Sequence, residues 1–146
     1  MSFHYNFIML NVNKNKMIQI LKNIPFFSQL PDADLQAIIE KIQMQYFPAD
    51  HVIFNAGDPG DLMYIIKRGK VQVIRNNTIL AVLSNNQFFG EMALVSDEPR
   101  NASVKTVTDL EVLTLRKEDF KRLLSTNPSI ASIVSYEVVK RANAIS

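Results

Sequence analysis

Residues 88–104 read FFGEMALVSDEPRNASV, and this stretch carries the strongest evidence for the fold and for the binding chemistry. Gly90 allows the backbone to approach a ligand closely, because no Cβ intervenes. The amides of the following turn are expected to point outward, as at the start of any helix, and such amides suit an anion. Arg100 adds a full positive charge and a planar set of donors that matches a phosphate.

Glu91 would repel a phosphate, but its carboxylate is a good acceptor for a sugar hydroxyl. A small ligand with one anionic phosphate and a free ribose 2′-hydroxyl is a cyclic nucleotide, and these residues predict such a ligand. Two simpler interpretations stay open. Glu91 could cap the short helix that follows, since acids favour a helix N-terminus. Arg100 could be a surface arginine paired with Asp97 or Glu98.

The segment resembles the phosphate-binding cassette of the cyclic nucleotide-binding domain family, which includes kinase regulatory subunits, catabolite activator proteins and cyclic nucleotide-gated channels. The family pattern F-G-E-x-A-L, a turn, and P-R-x-A-x-V is matched here by Phe89, Gly90, Glu91, Ala93, Leu94, Pro99, Arg100, Ala102 and Val104. The resemblance extends upstream through the glycine turns and apolar runs of residues 57–73, and covers about residues 24–142. It implies a β-roll that binds a cyclic nucleotide.

The resemblance also implies the ligand-binding residues. In the cassette they are Phe89, Gly90, Glu91, Met92, Ala93, Arg100, Asn101 and Ala102. Val73 and Leu80 lie where the family places apolar walls of the base pocket, although an apolar strand residue is more often plain core. Val139 and Arg141 could meet the base from a mobile C-terminal lid; a frayed terminus that touches nothing is the alternative.

The periodicity of apolar residues predicts helices at the beginning of the chain. Met17, Ile20 and Leu21 recur at helical spacing, and Pro25 would end that helix. Asp32 is a candidate N-cap for a second helix. Residues 1–16 are expected to form an irregular extension, and residues 17–146 a single domain.

From residue 43 to residue 116 the pattern changes to short apolar runs separated by turn residues. The runs are 46–47, 52–54, 63–66, 71–74, 79–83, 104–107 and 110–115. About eight short strands with no long helix between them predict an antiparallel β-roll of the jelly-roll type. The fold class is therefore α+β and mainly β.

Two helices are predicted after the strands. One runs from about Lys117 to Ser125, and the other opens at Asn127-Pro128, an N-cap followed by proline at the first helical position. The apolar stripe of the second helix consists of Ile130, Ile133, Val134, Val138 and Ala142.

Composition limits the function. The 146 residues include two histidines (His4 and His51), no cysteine and a net charge of +2. A convergent histidine and carboxylate cluster for a metal enzyme is therefore not expected, nor a thiolate site, and no nucleophile motif is evident. No run approaches the ~20 apolar residues of a membrane span. We expect a non-catalytic protein without a cofactor that is cytoplasmic or is the cytoplasmic domain of a membrane protein. We expect no preference for nucleic acid and no direct membrane insertion.

The sequence leaves open which effector the domain regulates. The cassette is closest to those of bacterial cyclic nucleotide-regulated potassium channels, which implies an effector gated by movement of the C-terminal helix. The alternatives are a stand-alone or partner-docking sensor and a truncated catabolite-activator-type regulator without its DNA-binding domain. Asn101 departs from the usual alanine, serine or threonine, and its amide offers both a donor and an acceptor. The base preference is accordingly undetermined by this residue, and cAMP is favoured over cGMP only through the bacterial resemblance.

Overall fold

The computed structural model describes residues 14–24, 27–94, 96–126 and 132. The chain divides into two compact units. One unit comprises Met1–Ile42 and Glu118–Ser146, and the other comprises Gln43–Lys117.

Three α-helices lie among the described residues. They are α1 (Lys14–Lys22), α2 (Asp32–Ile39) and α3 (Lys117–Thr126). The predicted helix around Met17 is confirmed as α1, and it begins at Lys14, so the last residues of the expected irregular segment are helical. The predicted helix at Lys117 is confirmed as α3. The further helix predicted from Asn127, with the lid residues Val139 and Arg141, lies outside the described residues.

The expectation that Asp32 is the N-cap of α2 is wrong by one residue. Pro31 occupies that position with an extended backbone (φ −59°, ψ 152°) and makes no side-chain cap. Its carbonyl accepts the first helical hydrogen bonds, from the amides of Asp34 and Leu35 at 3.0 and 3.1 Å. Asp32 is instead the first helical residue, where its charge is favourable to the positive end of the helix dipole.

The unit that contains α1 and α2 is held by a small apolar core. Leu21, Phe27, Leu35 and Phe120 are almost completely buried. The rings of Phe27 and Phe120 meet edge to face, with centroids 5.9 Å apart. This arrangement is favourable for two aromatic quadrupoles and contributes beyond the burial of their area.

The second unit is an antiparallel β-roll of eight strands, as predicted. The strands are β1 (Gln43–Phe47), β2 (Val52–Phe54), β3 (Leu62–Arg68), β4 (Val71–Arg75), β5 (Thr78–Leu83), β6 (Phe88–Phe89), β7 (Ser103–Thr106) and β8 (Leu110–Arg116). They form two four-stranded sheets in the orders β1-β8-β3-β6 and β2-β7-β4-β5. Neighbours in each sheet pair antiparallel.

The turn between β4 and β5 follows from its residues. Asn76 and Asn77 both have positive φ, at 52° and 62°. Two successive left-handed residues match the twist of a two-residue hairpin, and asparagine tolerates this conformation better than most side chains. The predicted turn therefore determines the register of β4 against β5 at its closed end.

The core of the roll takes residues from both sheets. Its buried members are Tyr64, Ile66, Val71, Phe89, Val104, Leu110 and Val112. Tyr64 and Phe89 are stacked with their ring centroids 4.8 Å apart, and they are direct cross-strand partners in β3 and β6. Phe89 immediately precedes Gly90, so this aromatic pair holds the beginning of the cassette against β3.

Candidate functional site

The backbone of Arg100 is anchored to the loop before β3. The Arg100 amide donates to the carbonyl of Asp58 at 2.8 Å, and the Gly57 amide donates to the carbonyl of Arg100 at 2.7 Å. Asp58 also closes its own turn, since its carboxylate accepts the Asn55 amide at 2.9 Å. The arginine therefore lies at a defined position, although no regular strand carries it.

The guanidinium of Arg100 is directed back onto the roll. Nη2 donates to the Leu62 carbonyl at 2.8 Å and Nη1 donates to the Gly90 carbonyl at 3.2 Å. Its Cζ lies 4.1 Å from the centroid of the Phe54 ring, within the range of a cation–π contact. The Nε atom is buried and has no hydrogen-bond partner in the described part of the chain. A buried donor without an acceptor is costly, so an acceptor placed at Nε would be favourable.

Burial lowers the pKa of Arg100, because desolvation disfavours the charged form. The opposing influences include the charges of Asp61, Glu91 and Asp58, each of which favours the protonated guanidinium. An arginine keeps its proton throughout the physiological range, so the site carries a fixed positive charge.

Gly90 and Glu91 lie near the positive charge of Arg100. Gly90 has a φ of 75°, and a Cβ placed on it would lie 2.9 Å from Nη1 of Arg100 and 3.1 Å from the Leu62 carbonyl. The close approach of a ligand at this glycine stays a prediction; the group that lies close to Gly90 in the structure is the Arg100 guanidinium. Glu91 is 7% exposed and opens a 3₁₀ helix, Glu91–Leu94. Its position is compatible both with ribose binding and with the simpler capping interpretation.

The hydrogen bonds of Arg100 do not support the simpler interpretation of this residue, which is a surface ion pair with Asp97 or Glu98. Asp97 forms an ion pair with Lys117. The hydrogen bonds of the Arg100 guanidinium go to two backbone carbonyls instead.

The remaining cassette residues differ in exposure. Ala93 and Ala102 are buried, Met92 is half-buried and Asn101 is exposed. The Ala93 amide donates to the Gly90 carbonyl at 3.2 Å, so this amide is used within the turn. The carbonyl of Asn101 accepts Nε of Arg75 at 3.0 Å.

The two predicted base-pocket residues lie in the sheet that contains β4 and β5. Val73 is half-buried against the core of the roll and is the cross-strand neighbour of Val104. Leu80 lies at the irregularity in the β4–β5 pairing and is 49% exposed. Val73 thus has a partial core role, whereas Leu80 offers apolar surface to another group.

Three contributors to the site were not assigned a role from the sequence: Gly60, Phe54 and the Leu62 carbonyl. The Gly57-Asp58-Pro59-Gly60-Asp61 turn was visible in the sequence as a glycine turn. Its contact with an arginine 40 positions further along had no local signal.

Within the described ranges, no group of three or more histidine or acidic side chains is placed to hold a metal ion. Among the same residues, no helix is long and apolar enough to cross a membrane.

Two antiparallel four-stranded sheets define a β-roll domain, in which a half-buried arginine and a buried acid lie beside Gly90. The chain belongs to the cyclic nucleotide-binding domain family, whose sequence model, described as "Cyclic nucleotide-binding domain", matches residues 44–127. The match contains the glycine turns, Glu91 and Arg100.

An ion channel is among the known proteins that are similar to this chain. A cyclic nucleotide-gated potassium channel of Mesorhizobium japonicum is 37% identical over 126 residues, which cover 86% of this chain and 35% of the channel. The chain therefore spans about a third of the length of this relative.

Two solved structures share the fold. The N-terminal domain of a transcriptional regulator from Streptomyces coelicolor has a TM-score of 0.76 and 26% identity, covering 86% of this chain and 92% of that one. The regulatory domain of Toxoplasma gondii PKA, solved with cAMP, has a TM-score of 0.71 and 25% identity, covering 76% and 44%.

Proposed function

We propose that this domain binds a cyclic nucleoside monophosphate, with cAMP preferred over cGMP, and acts as a regulatory sensor without catalytic activity. The observation that carries the proposal is the state of Arg100. Its guanidinium is half-buried beside Gly90, and its Nε is a buried donor with no partner in the described residues. An anionic oxygen at Nε would satisfy this donor and partly compensate the desolvation of the charge.

Glu91 would bind the sugar of such a ligand. The carboxylate follows Gly90 directly in the chain and acts on the Arg100 charge, so the two groups belong to one electrostatic environment. A ribose 2′-hydroxyl can donate to a carboxylate, whereas a second phosphate would be repelled. The pair of charges therefore selects a ligand with one anionic group and one hydroxyl donor.

The base would contact the apolar surface at Leu80 and Val73. Leu80 is about half exposed, and covering it with a purine would remove apolar surface from water. The preference for cAMP rests on similarity: the Toxoplasma gondii regulatory domain was solved with cAMP. Met92, Ala93, Asn101 and Ala102 would complete the cassette as Phe89 holds it against the core.

The regulated effector would be an ion channel or another module, gated by movement of the C-terminal helix, on the cytoplasmic side of the membrane. The 37% identity with the Mesorhizobium japonicum channel favours this output. The fold shared with the N-terminal domain of a transcriptional regulator supports the second candidate, a stand-alone sensor or a catabolite-activator-type regulator. In either case the ligand shifts the effector only if it binds one helix position more tightly; a tenfold shift needs about 1.4 kcal/mol of preference.

Calorimetric titration with cAMP and cGMP tests the proposal, with 5′-AMP as the control that carries the same base and sugar on an open phosphate. We expect saturable binding of one cyclic nucleotide per chain, tighter for cAMP than for cGMP, and much weaker binding of 5′-AMP. Tighter binding of cGMP would overturn the base preference alone. No heat and no thermal stabilisation with either cyclic nucleotide would overturn the function.

A further inference from the structure

Lys117 makes three contacts, with the loop that follows the 3₁₀ helix and with the residue that precedes β3. Its Nζ donates to the Ser96 carbonyl at 2.8 Å and forms an ion pair with the carboxylate of Asp97. Its backbone amide donates to the Asp61 carbonyl at 2.8 Å. Lys117 is also the first residue of α3. The first residue of α3 therefore contacts both the loop after the 3₁₀ helix and the residue that precedes β3.

Burial makes the ammonium contacts of Lys117 important. The Lys117 side chain is 13% exposed, whereas that of its partner Asp97 is 93% exposed. A desolvated ammonium needs acceptors, and the fixed backbone carbonyl of Ser96 supplies one in a defined place. An ion pair to a highly exposed carboxylate is worth little by comparison, because water and salt screen it. The Ser96 carbonyl is therefore the main anchor.

Ser96 is itself tied to the cassette. Its amide donates to the Met92 carbonyl at 2.9 Å, and its hydroxyl accepts the Glu98 amide at 3.0 Å. A displacement of Ser96 would therefore shift the 3₁₀ helix that begins with Glu91 and the turn that leads to Arg100.

The backbone contact reaches the arginine by a second route. Asp61 and Leu62 are successive residues: the first accepts the Lys117 amide at 2.8 Å, and the second accepts Nη2 of Arg100, also at 2.8 Å. The same short piece of chain therefore orients the cassette arginine and holds the first residue of α3.

We infer that Lys117 is a positioning residue for the ligand site, which holds the cassette in its binding geometry and couples that geometry to the start of α3. The inference rests on the proposed function and adds a route for regulation. Because coupling between two sites is reciprocal, a ligand that stabilises the cassette also stabilises the Lys117 contacts, and loss of those contacts weakens the ligand.

The test compares nucleotide affinity among substitutions of this cluster, measured by calorimetry with cAMP. Lys117→Met keeps the length and apolar stem but removes the donors, and we expect affinity to fall roughly three- to tenfold. Lys117→Arg keeps the charge and donors and should restore most of the affinity. Asp97→Asn should cost at most about twofold, since that carboxylate is exposed. Lys121→Met, at an exposed position of the same helix, is the matched control.

A purely structural role is separated from positioning by hydrogen exchange on the wild-type chain. With cAMP added, we expect protection to change together in residues 96–98 and 117–120. Equal affinity of Lys117→Met and Lys121→Met would overturn the inference. If Lys117→Met does not fold, a cAMP-induced change confined to residues 96–98 would overturn it instead. A wild-type chain that does not bind cAMP or cGMP would refute the proposed function itself, which is a different result from either of these.

Discussion

Gly60 lies against the guanidinium of Arg100. A Cβ on Gly60 would be 2.8 Å from Nη2 of Arg100, and closer still to Nε and Cζ. The backbone of Gly60 is not left-handed, so alanine would be tolerated there by the chain itself. Glycine is needed at this position because a Cβ would collide with the Arg100 side chain, and not because the turn requires a left-handed backbone.

Gly60→Ala should therefore weaken nucleotide binding with little loss of stability. The new methyl group would displace the end of a flexible side chain, so the fold adapts, but Arg100 would leave the Leu62 carbonyl. We expect affinity to fall by roughly tenfold, about 1.4 kcal/mol. Calorimetry and thermal unfolding measure the two effects separately.

Gly69→Ala is the matched control for that substitution. Gly69 has a φ of 119°, and a Cβ on it would lie 2.5 Å from the Asp109 carbonyl, so alanine would strain the backbone at a place that does not contact Arg100. This variant should lose at least about 1–2 kcal/mol of stability and keep its affinity. If Gly60→Ala binds as tightly as Gly69→Ala, Gly60 does not position the arginine.

Arg100→Ala should weaken cyclic nucleotide binding by at least tenfold. Removing a charged partner from a desolvated site costs roughly 2–5 kcal/mol. Arg68→Ala is the control, since Arg68 is an exposed arginine at the opposite end of β3 from Leu62. Circular dichroism would verify that both variants are folded. Unchanged affinity of the Arg100 variant in calorimetry would remove this residue from the site.

Glu91 should distinguish ribose from deoxyribose. If its buried carboxylate accepts the 2′-hydroxyl, the 2′-deoxy cyclic nucleotide leaves that carboxylate without this donor and should bind about 1–3 kcal/mol more weakly. Glu91→Gln should show a smaller difference between the two sugars. Equal wild-type affinity for both ligands would leave the capping interpretation of Glu91.

Tyr64 should make the free energy of unfolding depend on pH in the alkaline range. Burial raises the pKa of Tyr64 above its ordinary value of 10.0, while the charge of Arg100 opposes this shift. Above pH 10 the unfolded chain releases the phenolic proton and the folded chain retains it. The stability linked to this group is therefore fully present below pH 10 and is lost as the pH rises toward the higher folded pKa.

Urea unfolding between about pH 8 and pH 11 checks this linkage. One group contributes a slope of at most about 1.4 kcal/mol per pH unit, and Tyr64→Phe should remove that slope. Tyr46→Phe serves as the comparison, because Tyr46 is 64% exposed. The same alkaline dependence in wild type and Tyr64→Phe would contradict the assignment.

The proposed lid predicts a ligand-dependent change near the C-terminus. Hydrogen exchange should slow in residues 134–142, which include Val139 and Arg141, when cAMP is added, because closure over the base would stabilise the local hydrogen bonds. 5′-AMP is the control ligand. If protection rises only in residues 90–102, the domain binds its ligand without this lid.

Much of the fold was predictable because its signals are local. The short apolar runs, the Asn76-Asn77 turn and the helix at Lys117 each depend on neighbouring residues, and all three are observed. The short strand β6 (Phe88–Phe89) was not predicted as a separate run, because two residues are too few to show an alternation. The N-cap of α2 was misplaced by one residue because proline supplied the extended backbone without a capping side chain.

The sequence alone determined the family of the domain and predicted the class of ligand: a glycine, an acid and an arginine at set spacing in residues 90–100 are expected to supply room for a close approach, a hydroxyl acceptor and a charge. Only the tertiary structure decided how the arginine is held. Besides the nearby Gly90 carbonyl, it lies against the Leu62 carbonyl, the Phe54 ring and the space left by Gly60, which are about 40 positions or more away in the chain. A backbone carbonyl is present in every residue and an absent side chain has no chemistry of its own, so neither is recognisable until long-range strand pairing brings it to Arg100.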